Sequence, residues 1–136
     1  MKKIKFIKLK AMAGKGYMLT PVEFKDVVPF EAKRLYYFTA PEAGASTGAH
    51  CHFKEEEVFF QIKGSSVMVV DDGGGKKEIK LSGPADAVYI PHLVWHGFKS
   101  ISEDGIILAV SSTNYDPSRK DYVEDYEEFE RIVHST

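Results

Sequence analysis

The chain has 136 residues, 43% of them hydrophobic and 28% charged, with a formal net charge of −2. That length predicts a single domain over residues 1–136, and the composition predicts a packed core under a solvated surface rather than disorder. The acidic balance argues against a nucleic-acid partner, no apolar run approaches the ~20 residues that span a bilayer, and the lone cysteine, Cys51, excludes an internal disulfide.

Residues 1–10 alternate lysines with Ile4, Phe6, Ile7 and Leu9. They read as an exposed strand at 3–9 rather than a targeting peptide, which needs an unbroken apolar segment and a cleavage site. The cytoplasm is the expected compartment. Further strands are expected at 17–23, 33–39, 49–53, 58–63, 66–71, 76–81, 87–90, 95–100 and 106–112, all rich in Val, Ile, Phe and Tyr. Gly73-Gly74-Gly75 reads as the turn of a hairpin. Many short strands at this spacing predict an all-β sandwich or barrel. The tail differs: Tyr122, Tyr126, Phe129 and Val133 recur at helical spacing among acids, which predicts a short amphipathic helix over 121–133.

The chemistry concentrates at His50-Cys51-His52. Strand side chains alternate faces, so the two histidines project together and Cys51 projects away. Such a pair serves either as metal ligands or as a general base with a helper. Gly44, His50, His52, Glu57 and Gly64 fall at the spacing of the first cupin motif, and Pro91 with His96 resembles the second, with Leu93 where that motif has glycine. The resemblance implies a cupin-type double-stranded β-helix, a jelly-roll barrel with the short helix appended. In metal-binding cupins the positions of His50, His52, Glu57 and His96 hold one divalent ion. Adjacent strands lie ~4.8 Å apart, so inward side chains from several of them converge on one point.

Longer stretches resemble the TDP-4-keto-6-deoxyglucose 3,4-ketoisomerases. They are Pro29-Phe30-Glu31-Ala32-Lys33-Arg34-Leu35-Tyr36-Tyr37, Gly48-Ala49-His50-Cys51-His52 with Lys54, Ile90-Pro91-His92-Leu93-Val94-Trp95-His96, and Tyr115-Asp116 followed by Asp121-Tyr122-Val123-Glu124-Asp125-Tyr126-Glu127-Glu128-Phe129. The resemblance implies movement of a ketone from C4 to C3 of a TDP-linked 6-deoxyhexose, through an enediol, in deoxyaminosugar and lipopolysaccharide biosynthesis. It implies no metal or redox cofactor. His50 matches the catalytic base, Tyr36 the partner acid, and His96 joins the catalytic set. Arg34, His52, Lys54, Lys15, Tyr37 and Glu57 are the candidate substrate contacts, and the alignment leaves open which of Tyr36 and Tyr37 faces the pocket.

Three positions depart from that family. Ser46 and Thr47 replace arginines, Lys15-Gly16 replaces an Arg-Gly pair, and Glu57 stands where an amide is usual. Lysine keeps the charge but loses the bidentate fork. Glu57 restores the full metal-ligand set, so a metal-dependent isomerase or dioxygenase using His50, His52, Glu57 and His96 is the competing reading. A non-catalytic sugar-binding cupin is a third. His96 directly after Trp95 leans toward the galacto product. The expected partners are the keto-sugar and a second copy of the chain, with exchange of the lysine-rich N-terminal strand.

Overall fold

The computed structural model describes residues 2–135. Strands β1 (Lys5–Lys8), β2 (Met12–Ala13), β3 (Met18–Leu19) and the single turn α1 (Phe24–Val27) open the chain. Then come β4 (Arg34–Ala40), β5 (Cys51–His52), β6 (Glu57–Lys63), β7 (Ser65–Asp71), β8 (Lys77–Ser82), β9 (Asp86–Ile90), β10 (Trp95–Lys99) and β11 (Gly105–Ser111). β12 (Tyr122–Val123) and α2 (Tyr126–His134) close it. No helix of the described residues is long and apolar enough to cross a membrane.

An antiparallel sheet in the order β1-β9-β6-β11-β4 faces a second one. The second sheet is β10-β7-β8, and main-chain bonds between His50 and His96 in both directions (3.1 and 2.9 Å) join the β12-β5 pair to its edge. Two facing sheets of this kind make the jelly-roll barrel. Alternation divides the residues between layers. Phe59, Val88, Ile90, Ile107 and Ala109 point inward and meet Met68, Val70 and Phe98. Val58, Phe60, Ala87, Tyr89 and Val110 point outward, where the N-terminal segment covers them with Ile7, Val22, Val28 and Phe30. β6 is therefore apolar on both faces at Val58, Phe59 and Phe60, as a doubly covered strand must be.

A third cluster secures the helix. Phe129 is fully buried against Cys51, Trp95 and Val123. Cys51 is the outward residue of the histidine strand, and burial pushes its thiol up to about 12, so it is a packing group rather than a nucleophile.

Ten strands were expected, and each expected segment contains one, the Gly73–Gly75 turn included. Two expectations need correction. The segment 17–23 forms strand only at Met18–Leu19, because Pro21 lacks the N–H a ladder needs and the chain then turns into α1. The helix begins at Tyr126 rather than Asp121, since Asp125 caps it by accepting from the Glu127 N–H (3.0 Å). Tyr122 and Val123 instead pair with His52 and Cys51.

Candidate active site

β4, β6, β5 and β10 bring the site together. Register places Arg34 of β4 and Glu57 of β6 on either side of Ser111, so Arg34 and Tyr36 share the inner face with Glu57. Tyr37 takes the opposite face and is 65% exposed. The His50–His96 main-chain bridge sets two imidazoles side by side, with ring centroids 4.9 Å apart, and His52 lies 4.8 Å from His50. Two backbone details hold this approach. Gly97 lies so close to Ala49 that a Cβ there would fall 2.8 Å from the Ala49 Cβ. Leu93 adopts a φ of 57°, the left-handed conformation that a glycine takes without strain, and its N–H donates to the His52 carbonyl (2.8 Å).

Glu57 accepts a very short hydrogen bond from the Tyr36 hydroxyl on one oxygen. Its other oxygen lies 3.4 Å from His52 Nε2 and 3.9 Å from His96 Nε2. His96 Nδ1 sits 2.9 Å from the Val94 carbonyl, which only accepts, so Nδ1 carries the proton and Nε2 faces the pocket with a free lone pair. Burial pulls His96 down to about 3 and His50 down to about 4, each reinforced by neighbouring histidines, and burial lowers His52 as well. All three imidazoles are neutral at neutral pH. Burial and the Glu57 charge push the Tyr36 phenol well above its usual value, so it keeps its proton. Burial also raises Glu57, and with Glu57 nearby it lifts Glu55 to about 7.

Several residues outside the expected set help build the site. Asp121 accepts from the Lys54 and Glu55 N–H groups (2.9 and 3.1 Å) and lies 3.4 Å from His52 Nδ1. Tyr122 packs its ring against both His50 (5.0 Å) and His52 (4.4 Å), and the Arg119 guanidinium lies over that ring, 3.9 Å from its centroid. Glu55 pairs with Arg34 (3.1 Å) and takes the Thr113 hydroxyl (2.6 Å). The run Glu55-Glu56-Glu57 carried a signal for Glu55, since it shares a side with Glu57 by alternation.

The candidate contacts fall at different places. A cavity of about 190 Å³ is lined by His50, His96, Tyr36, Thr47, Phe59 and Phe98. A second, of about 460 Å³, has Tyr122, Lys54, Arg119, Lys120, Tyr115 and Asp121 among its walls. Arg34 is half-buried inside rather than free on the surface, and stacks near the Tyr36 and Tyr115 rings. Lys15 is exposed in the turn between β2 and β3, outside the walls of both cavities.

A jelly-roll barrel with histidines converging in its interior has the cupin-type architecture. The family profile FdtA (WxcM-like, C-terminal) matches residues 2–134. The chain is 31% identical over 129 residues to the TDP-4-oxo-6-deoxy-alpha-D-glucose-3,4-oxoisomerase of Aneurinibacillus thermoaerophilus, covering 95% of this chain and 91% of that one. It is 32% identical to the TDP-quinovose 3,4-ketoisomerase WlaRB of Campylobacter jejuni, with a TM-score of 0.84 over 96% of this chain and 99% of that one. The sugar 3,4-ketoisomerase QdtA of Thermoanaerobacterium thermosaccharolyticum, solved with TDP, is 31% identical with a TM-score of 0.86, over 97% and 95% of the two chains. The chain belongs to the FdtA family.

Proposed function

We propose that this chain is a TDP-sugar 3,4-ketoisomerase acting on TDP-4-keto-6-deoxyglucose. The observation that carries this reading, beside family membership, is a neutral His50 in the same cavity as the Tyr36 hydroxyl. The C3 proton of the substrate is acidified by the neighbouring C4 ketone. His50 accepts it as the C3–H bond breaks, and the carbonyl oxygen takes a proton from a donor, leaving an enediol. Loss of the C3 hydroxyl proton and protonation of C4 then give the 3-ketone. Atoms and electrons balance within the sugar, so the exchange needs no redox partner. The hydrogen-bonded Tyr36–Glu57 pair is the donor, the carboxyl replacing the proton that the phenol passes on, and His96 with its inward Nε2 lies on the same cavity wall as Tyr36.

Lys54, Arg119 and Lys120 around the larger cavity supply positive charge for the diphosphate, with Tyr122 and Tyr115 as flat surfaces for the base. His52 orients the sugar from beneath Tyr122, and Arg34 balances Glu55 rather than the phosphate. We infer the galacto product from His96, and the cytoplasm as the compartment from the sequence. The decisive experiment is proton NMR of TDP-4-keto-6-deoxyglucose with the protein in D2O. The C3 proton is expected to wash out while a 3-keto product grows in. A C3 signal that persists through many enzyme equivalents overturns the reading.

We also infer a homodimer. Met18, Phe24, Leu35 and Ile62 are each more than 40% exposed and line an apolar groove of about 450 Å³ on the outer sheet. β1 pairs with β9 through four registered residues, and exchange of β1 reproduces the same ladder between subunits. Light scattering is expected to give twice the chain mass, and a single chain mass at micromolar concentration refutes the dimer.

A further inference from the structure

Polarity changes along the inside of the barrel. Register stacks the inward side chains in levels. Arg34 of β4 and Glu57 of β6 share the level of Ser111, Tyr36 and Phe59 that of Ala109, and Phe38 comes one step further, opposite Ile107. β10 and the segment before β5 follow the same order. His96 is bridged to His50, and the Phe98 carbonyl accepts from the Thr47 N–H (2.9 Å). One end of the interior therefore carries His52, Glu55, Glu57 and Arg34. The other end is aromatic. Phe38 and Phe59 each meet the Phe98 ring edge to face, with centroids 5.6 and 5.2 Å away.

The cavity of about 190 Å³ lies where the two ends meet, with His50, Tyr36 and His96 beside Phe38, Phe59 and Phe98. Pockets for a whole drug-sized ligand run to roughly 300–1,000 Å³, so this one takes part of a nucleotide sugar. Among the described residues its walls include no carboxylate, lysine or arginine. The hydroxyl at the aromatic end belongs to Thr47, and its oxygen already accepts from the Phe98 N–H (3.0 Å). A substituent placed there meets aromatic rings.

A 4-keto-6-deoxyhexose has the matching asymmetry. Its one apolar substituent, the C6 methyl, sits on C5, next to C4. The C2 hydroxyl lies on the other side of the reacting C3–C4 edge, and the diphosphate leaves from C1, next to C2. With the methyl at the aromatic end, the C2 side faces the charged end. Glu55 at that end also lines the larger cavity, whose walls carry Lys54 and Arg119.

We propose that Phe38, Phe59 and Phe98 form a pocket for the C6 methyl, which selects a 6-deoxyhexose over its 6-hydroxy counterpart and fixes the direction in which the C3–C4 edge lies across His50 and Tyr36. The placement of that edge rests on the ketoisomerase reading. A hydroxyl on C6 would lose its water to a ring-lined space and go unpaired there. Apolar pockets reject an added hydroxyl by about 10²-fold.

The test is calorimetric binding of TDP-quinovose and TDP-glucose to the full chain, two ligands that differ only by the hydroxyl on C6. TDP-quinovose is expected to bind roughly 10–100-fold more tightly. Phe38→Ser puts a hydroxyl on the half-buried member of the trio and is expected to bring the two within about threefold, while Phe38→Leu keeps the preference. Equal binding of the two sugars by the wild type overturns the proposal. So does a Phe38→Ser protein that binds TDP like the wild type and keeps the full preference. Should Phe38→Ser fail to fold, saturation transfer to TDP-quinovose decides. Irradiating the phenylalanine rings of the wild type is expected to attenuate the C6 methyl more than the C2 proton, and ring-deuterated phenylalanine to abolish the difference; a methyl signal indifferent to that labelling overturns the pocket. Neither ligand carries a ketone, so washout of the C3 proton tests the isomerase reading separately and either can fail alone.

Discussion

Replacing His50 with asparagine lowers turnover of TDP-4-keto-6-deoxyglucose by about 10²–10⁴-fold, the usual worth of a positioned general base. The fold survives the change, because the pairing of residue 50 with His96 runs through main-chain N–H and carbonyl groups. Asparagine keeps a polar side chain in the cavity but cannot accept a proton at neutral pH. The loss therefore falls on kcat, with KM little altered. Single-turnover NMR measures it, and washout of the C3 proton slows by the same factor. A variant that keeps its rate within tenfold places the base elsewhere, with His96 next in line on the same wall.

Phe129→Ala is expected to destabilise the fold by about 3–5 kcal/mol, the cost of emptying a fully buried aromatic site. The Phe129 ring is 0% exposed and lies 5.7 Å from Trp95 and 5.8 Å from Tyr126. Its neighbours Cys51 and Val123 are themselves locked in paired strands, which limits how far the site can collapse. Urea denaturation reads the change as a fall in midpoint. Activity falls with it, since α2 anchors β12, and β12 carries the Tyr122 ring that supports both histidines. A loss below about 1 kcal/mol would show that the third cluster contributes little.

Much of the barrel was legible because strand alternation is a local signal. His50 and His52 face inward and Cys51 packs outward on that rule alone, and Tyr36 and Tyr37 take opposite faces once their register with β11 is known. The convergence of His50 with His96 was legible only through motif spacing, because 46 positions of chain separate the two partners of that bridge. The tail helix forms as expected, but its start falls at Tyr126 rather than Asp121 for a physical reason. Tyr122 sits four residues before Tyr126, which mimics a helical stripe, but its ring is spent on the histidines and its backbone on β5. Asp121 escaped notice because it acts through a distant residue, His52, which no local pattern encodes; for Glu55 alternation with Glu57 gave the side, but not its pairing with Arg34.

The pairing of Tyr122 with His52 also has a consequence for timing. The histidine strand leaves the ribosome some seventy residues before the segment that completes its ladder. Until then, the main-chain partners of residues 50–52 are His96 and Leu93, themselves made late. Contacts of such long sequence separation form slowly. The pocket is thus among the last parts of the molecule to be finished, and a nascent chain carries its reactive histidines unassembled until residues 122–129 have been added.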